Sequence, residues 1–141
     1  MQEFSMNKIV FDYENLEEGF PDVDAGVRPY GSRVLCQIRL TKEKTKSGLY
    51  ITSETKETER WNTQVAKVID IGSLAFKNRN TLEPWPEGAW SKIGDFVRVP
   101  KYGGDKWSVK HGDEEVIFVI LNDLDLVGEI TGDPLAFKAF L

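Results

Sequence analysis

The sequence contains few of the residues that build metal and catalytic centres. Its 141 residues include a single cysteine, Cys36, and a single histidine, His111. One cysteine excludes an internal disulfide and is typical of a reducing compartment. A zinc site, a Cys-His pair or a Ser-His-Asp triad needs more of these residues than the chain has. We therefore expect no metal site, no cofactor and no catalytic residue, and the chain is not predicted to be an enzyme.

Long hydrophobic runs are also missing. No stretch approaches the roughly 18 consecutive apolar residues that a membrane helix requires. The first twenty residues lack the basic region followed by an apolar region that defines a secretory signal. We expect one domain that resides in the cytoplasm and does not contact a membrane.

A surplus of basic residues, which a nucleic-acid-binding domain needs, is absent as well. Residues 1–26 carry seven acidic side chains against Lys8 alone, a net charge of −6. Since the whole chain carries −5, residues 27–141 are nearly neutral at +1. This balance argues against a nucleic-acid partner. Residues 1–26 are predicted to be an acidic arm, and their apolar clusters leave it equally open whether the arm is solvated or docked.

Short segments with a period of two indicate β-strands. No segment of 12 or more residues shows a convincing 3.6-residue period, so the prediction is an all-β fold, a small barrel or sandwich. In the first strand Cys36 alternates in register with its apolar neighbours, and we expect a buried side chain rather than a nucleophile. The predicted strands are residues 33–40, 65–71, 96–99 and 115–121, with a last short element at 124–130.

Residues 41–63 form a long polar run with one apolar triplet. Nine of these residues are charged, and Leu49, Tyr50 and Ile51 are the only large hydrophobic residues before Trp61. Such a composition buries too little apolar area to offset the entropy of ordering, so we expect a mobile loop in the free protein. Loops of this length are usually functional, and the triplet is typical of an element that folds on a partner. The alternative is that the triplet belongs to a core strand of the same subunit.

Residues 73–92 form a second interruption of the strand pattern. Pro84 and Pro86 flank Trp85, and Pro-Trp-Pro cannot lie inside a central strand because proline donates no ladder hydrogen bond. We interpret this segment as an excursion from the barrel. Trp85 and Trp90 either pack within the excursion or form an interface patch, and we favour the interface. Residues 132–141 are predicted to be a C-terminal tail.

Four motifs in order resemble the GroES-type co-chaperonins, the ten-kilodalton chaperonin family. The resemblance spans residues 27–131. Its motifs are VRPYGSRV at 27–34, TKSGLYI at 45–51, IGDFV at 93–97, and KYGG at 101–104 followed by Gly112 and EEV at 114–116.

The resemblance implies a small, partly open β-barrel that assembles as a heptameric ring. In the family such a ring caps the ATP-bound cage of a GroEL-type chaperonin, and the ATPase belongs to that partner. Gly48, Leu49, Tyr50 and Ile51 would dock on the chaperonin. The cage closed by the ring encloses an unfolded client protein, and no nucleic-acid partner is expected.

Four features depart from the family. One is Tyr50, an aromatic residue where the family usually has an aliphatic one. The other three are the acidic arm, the C-terminal tail, and the proline-broken segment 73–92, which lies where the family has a β-hairpin that roofs its dome. By analogy they suit a bacteriophage-encoded member that acts on a capsid protein in the bacterial host cytoplasm. A virion structural or decoration protein on the same barrel is the alternative. A zinc alcohol dehydrogenase or an oligonucleotide-binding barrel is disfavoured by the missing ligands and by the charge.

Overall fold

The computed structural model of the protein describes residues 13–41 and 60–137. Within them the chain forms six strands and two short helical turns, and residues 60–62 are also helical. Gly48, Leu49, Tyr50 and Ile51 lie outside the described residues, so their role stays a prediction. The elements, in chain order, are helix α1 (Leu16–Gly19), strands β1 (Arg33–Ile38), β2 (Val65–Ile71), β3 (Phe96–Arg98), β4 (Asp105–His111) and β5 (Glu114–Asn122), a 3-10 turn (Asp123–Asp125) and strand β6 (Gly128–Glu129).

All six strands belong to one antiparallel sheet in the order β4-β5-β1-β2-β3-β6. Strands β4 and β6 are its two edges, and within the described residues these edges do not pair with each other. The sheet is therefore not closed. This confirms the prediction of an all-β, partly open barrel.

Strand β1 lies at the centre of the sheet and is buried on both faces. Val34, Cys36 and Ile38 point into the main core, whereas Leu35 points to the opposite face. Strands with one wet face alternate apolar and polar residues, but every residue of β1 after Arg33 is buried. Another part of the chain must therefore cover the outer face.

The cover is the segment that precedes β1. Ala25 packs with Leu35 and Phe118 on the outer face, and the indole N–H of Trp107 donates to the carbonyl of Ala25 at 3.0 Å. Further back, the ring of Phe20 lies 5.0 Å from that of Phe96 in a third apolar cluster. The described part of the acidic arm is thus docked on the body. For these residues the structure decides between the two alternatives, solvated or docked, that the sequence left open.

The first four predicted strands agree with the structure to within two residues, and one strand was not predicted. The last predicted element, 124–130, is instead the 3-10 turn followed by the two-residue strand β6. Strand β4 was not predicted, because charged and exposed residues dominate it and only Trp107 and Val109 carry its apolar alternation. It is joined to β5 by a two-residue turn at Gly112 and Asp113. As an edge strand β4 needs few apolar side chains, because water solvates its open side.

The excursion at residues 73–92 is an irregular turn rather than a regular hairpin. It contains a single isolated bridge, Lys77 with Pro84. Backbone bonds flank this bridge, from the N–H of Trp85 to the carbonyl of Phe76 at 3.1 Å and from the N–H of Asn78 to the carbonyl of Glu83 at 2.8 Å. Pro84 and Pro86 supply no N–H, so the pairing cannot extend.

Candidate partner-binding site

Both ends of the polar run emerge at one corner of the sheet. The run joins β1 to β2, and these neighbouring strands pair antiparallel, with Ile38 opposite Ala66. The N–H of Arg39 donates to the carbonyl of Val65 at 3.0 Å, which extends the pairing by one step beyond the strands. The predicted binding segment therefore starts and ends at the same fixed point of the fold.

The first end of the run is held by the N-terminal arm. The N–H of Leu40 donates to the carbonyl of Gly19 at 2.8 Å, and the hydroxyl of Tyr13 donates to the carbonyl of Leu40 at 2.5 Å. Both backbone polar groups of Leu40 are thus satisfied by residues of the arm. The next residue, Thr41, is buried. The arm therefore fixes the backbone at Leu40.

The second end of the run is held by strands β4 and β5. The guanidinium of Arg60 lies 3.4 Å from the carboxylate of Glu115, and the ammonium of Lys106 donates to the carbonyl of Trp61 at 2.8 Å. Partial burial lowers the pKa of Lys106 below its ordinary value, because desolvation disfavours the charged form. Both contacts come from the β4–β5 hairpin, of which the sequence predicts only the second strand.

The KYGG motif forms the turn that leads into β4. Lys106 also reaches back to the carbonyl of Lys101 at 3.4 Å, which ties this turn to the end of the run. Gly104 has a φ of +77°, and a Cβ there would lie 2.6 Å from side-chain atoms of both Val119 and Leu121. Only glycine fits at this position, because the turn lies directly against β5.

The excursion presents an aromatic cluster that packs within the chain. The rings of Trp85 and Trp90 lie 4.8 Å apart, and Phe76 contacts both, at 5.5 and 6.4 Å. Both tryptophans are half-buried against the main core, and the indole N–H of Trp90 donates to Glu87 at 2.6 Å. The structure thus shows the first of the two alternatives for these residues, while their predicted role in an interface stays untested.

A cavity of about 270 Å³ lies between Trp90 and strand β6. Its walls are mostly apolar and include Val97, Leu126 and Val127. Ser91 is buried at its edge, and among the described residues the Ser91 hydroxyl has no hydrogen-bond partner. The cavity lies beside an open edge of the sheet, so a neighbouring chain could reach it.

The one cysteine of the chain lies in the core. Cys36 is buried, and this burial raises the pKa of its thiol to about 12, which confirms the expectation of an inert side chain. No group of three or more His, Cys, Asp and Glu residues within 13–41 and 60–137 is arranged to hold a metal ion. In the same ranges, no helix has the length and apolar character needed to cross a membrane.

The comparisons with known proteins agree on a single family. The sequence model described as "Chaperonin 10 Kd subunit" matches residues 26–130. The chain belongs to the chaperonin 10 kDa family. Among curated relatives, the co-chaperonin GroES of Syntrophomonas wolfei is 29% identical over 105 residues, which cover 74% of this chain and 97% of that protein. GroES of Lactococcus lactis is 33% identical, with 72% of this chain and 95% of that protein covered.

A mitochondrial relative shows the same extent of similarity. The 10 kDa heat shock protein of Saccharomyces cerevisiae is 31% identical over 105 residues, 74% of this chain and 89% of that protein. Membership of the chaperonin 10 kDa family confirms the resemblance that the motifs carry and supports a co-chaperonin role. The co-chaperonin family is non-catalytic, which fits the prediction that the chain is not an enzyme.

The family match leaves out both ends of the chain. Residues 1–25 and 131–141 lie outside the matched region, yet the described parts of both ends pack on the body and on each other. The sequence analysis does not predict this contact. It involves Arg39, whose guanidinium donates to the carbonyl groups of Pro134 and Phe137. The one signal in the sequence is an arginine at the end of an apolar strand.

Proposed function

We propose that this chain is a co-chaperonin that caps a GroEL-type chaperonin and encloses its folding client. The observation that carries the proposal is the family match over residues 26–130, which includes the polar run with its apolar triplet. The two relatives from bacteria are named co-chaperonin GroES. In this proposal ATP is bound and hydrolysed by the partner chaperonin, and the protein itself needs no cofactor. The site of action is the cytoplasm.

The proposed contact is made by Leu49, Tyr50 and Ile51, with Gly48 allowing the chain to turn into an extended segment. Burying one side chain of this size gains about 1.5–3 kcal/mol, whereas ordering a segment costs about 1–2 kcal/mol per fixed residue. A single segment should therefore bind weakly. A ring of such segments binds tightly through effective concentration and can still leave in each cycle.

Ring formation is supported by the two unlike edges of the sheet. Strand β4 is seven residues long and highly charged, whereas β6 has only two residues and lies beside the apolar cavity at Trp90. Unlike surfaces at opposite ends of a subunit favour head-to-tail contacts, which close into rings when the rotation permits. We propose a heptamer, in keeping with the resemblance, with Trp85 and Trp90 near a subunit contact. Electron microscopy of the purified protein counts the subunits directly.

The decisive experiment replaces Leu49, Tyr50 and Ile51 together by serine. We expect binding to a chaperonin with ATP, and the refolding of a stringent client, to be lost while the ring still assembles. The matched control replaces three exposed apolar residues outside the run by serine, namely Leu82, Ile93 and Leu124. Capping that survives the triple substitution in the run would refute the proposed contact.

The appended ends and the irregular excursion also suit a phage-encoded member that acts on a capsid protein. That assignment rests on analogy with large-client co-chaperonins. Refolding of a phage capsid protein by the chaperonin, with and without this chain, tests it. Equal yields in the two reactions would contradict it.

A further inference from the structure

Arg39 is a buried cation that contacts both ends of the chain. Its side chain is only 3% exposed although it follows directly on β1. Its guanidinium donates to the carbonyl of Pro134 at 2.9 Å and to that of Phe137 at 2.7 Å, both in the C-terminal tail. The same group lies over the ring of Tyr13 in the N-terminal arm, at 5.2 Å. We call these four residues the terminal clamp.

The contacts of the terminal clamp stabilise the buried positive charge of Arg39. Among the described residues, no carboxylate lies within ion-pair distance of Arg39, and its Nε has no hydrogen-bond partner. Dipoles and aromatic faces stabilise a buried charge, and here the tail carbonyls and the Tyr13 ring provide them. Removing either terminal segment would leave the cation poorly solvated, so the two segments should open together.

The clamp touches the start of the predicted binding segment. Tyr13 contacts the Arg39 guanidinium with its ring and the Leu40 carbonyl with its hydroxyl. Gly19 accepts from the N–H of Leu40, and a Cβ at Gly19 would lie 2.6 Å from Leu135 in the tail. The arm therefore lies between the tail and the first residues of the run.

We infer that Arg39 is a positioning residue, which fastens both terminal segments onto the base of the binding segment and thereby strengthens chaperonin capping. The physical reason is entropic. A fixed base leaves fewer free residues to be ordered on binding, so the anchored segment loses less conformational freedom than an unanchored one. The effect on capping rests on the proposed function, whereas the clamp itself is a property of the free protein.

The test compares Arg39→Gln and Arg39→Lys with Arg33→Gln, a control at the exposed start of the same strand. Amide hydrogen exchange is followed in the free full-length protein. In Arg39→Gln we expect exchange at the Leu40 amide, in the arm and in the tail to rise together, on the order of tenfold, while the β1–β5 ladder stays protected. Arg39→Lys, which keeps the charge and one donor group, should restore part of the protection.

Capping is then measured as the Kd for a GroEL-type chaperonin with ATP. We expect Arg39→Gln to weaken binding about tenfold, because freeing roughly one backbone residue corresponds to such a factor. Tyr13→Phe, which removes only the hydroxyl bonded to Leu40, should give a smaller loss without any risk to the core.

The outcomes separate the clamp from the proposed function. Unchanged exchange at Leu40 in Arg39→Gln overturns the clamp. Raised exchange with an unchanged Kd overturns the positioning role. If the unaltered protein fails to bind chaperonin, the proposed function fails together with the positioning role, while the exchange data still decide whether the clamp exists.

Discussion

The carboxyl group of Asp123 accepts a hydrogen bond from the backbone N–H of Phe76 at 2.8 Å, across a sequence separation of 47 residues. Its other oxygen accepts from the N–H of Leu124 at 2.8 Å. The side chain of Asp123 is buried, and Phe76 adopts a φ of +61°, which is rare for a residue with a side chain. One carboxyl group thus joins the irregular excursion to the turn after β5.

Replacing Asp123 by alanine should destabilise the protein and loosen the excursion. The buried N–H of Phe76 and the partly buried N–H of Leu124 lose their acceptor, and an unsatisfied buried donor costs about 1–3 kcal/mol. We expect a loss of about 2 kcal/mol or more in the free energy of unfolding, measured in urea. The tryptophan fluorescence emission should also shift, because Trp85 and Trp90 become more exposed to water. Asp125→Ala, at an exposed position of the same turn, is the control. An equal loss in both variants would contradict the role given to Asp123.

Replacing Gly72 by alanine should be among the most damaging single changes. A Cβ at Gly72 would lie 2.2 Å from the carbonyl oxygen of Gly31 and 3.0 Å from that of Arg33, both of them backbone atoms. Backbone cannot yield as a side chain does, so we expect a loss above the roughly 1–3 kcal/mol typical of overpacking. Gly128→Ala is the matched control, because nothing lies within 4 Å of its Cβ position. Thermal unfolding measures both variants, and a similar Tm for the two would be inconsistent with this close approach.

The sequence predicts the strands better than their covering. Strand β2 is found at the predicted residues, because its β-branched run ends at Gly72 and little competes with it. Strand β4 was not predicted, because it is specified by its pairing with β5 along its whole length and not by its own side chains. Edge strands of this kind are specified by their neighbours.

The candidate site was likewise only partly predictable from the sequence. Motif order was enough to locate the polar run and its place between β1 and β2. Its anchoring could not be predicted, since the bonds of Arg39 span 95 and 98 residues and depend on carbonyl groups that carry no sequence signal. The interface role of Trp85 and Trp90 was predicted from composition alone, whereas their packing depends on the three-dimensional position of Phe76.

Truncating Trp85 to alanine should destabilise the isolated subunit, whatever role the residue has between subunits. Its ring meets that of Phe76 edge-on at 5.5 Å and packs on the main core. We expect a loss of about 2–3 kcal/mol, below the range for a fully buried aromatic because Trp85 is only half-buried. Tyr30→Ala, at a side chain that is 83% exposed, should change the stability of the subunit by about 0.5 kcal/mol or less. Urea unfolding under conditions that keep the chain monomeric distinguishes the two.

The buried thiol of Cys36 makes the stability depend on pH on the alkaline side. Burial raises its pKa from 9.0 to about 12 in the folded protein. Between these two values the unfolded chain has lost the thiol proton that the folded chain still binds. The contribution of Cys36 to the stability is therefore fully present below pH 9 and is lost as the pH rises towards 12. The contribution of this one group to the slope is at most about 1.4 kcal/mol per pH unit. Cys36→Ala removes it, and unfolding in urea at pH 8 and pH 10 should show a shallower loss in the variant than in the unaltered protein. Identical slopes would mean that Cys36 ionises as readily when folded as when unfolded, and a thiol reagent that labels the native protein at neutral pH would point to the same conclusion.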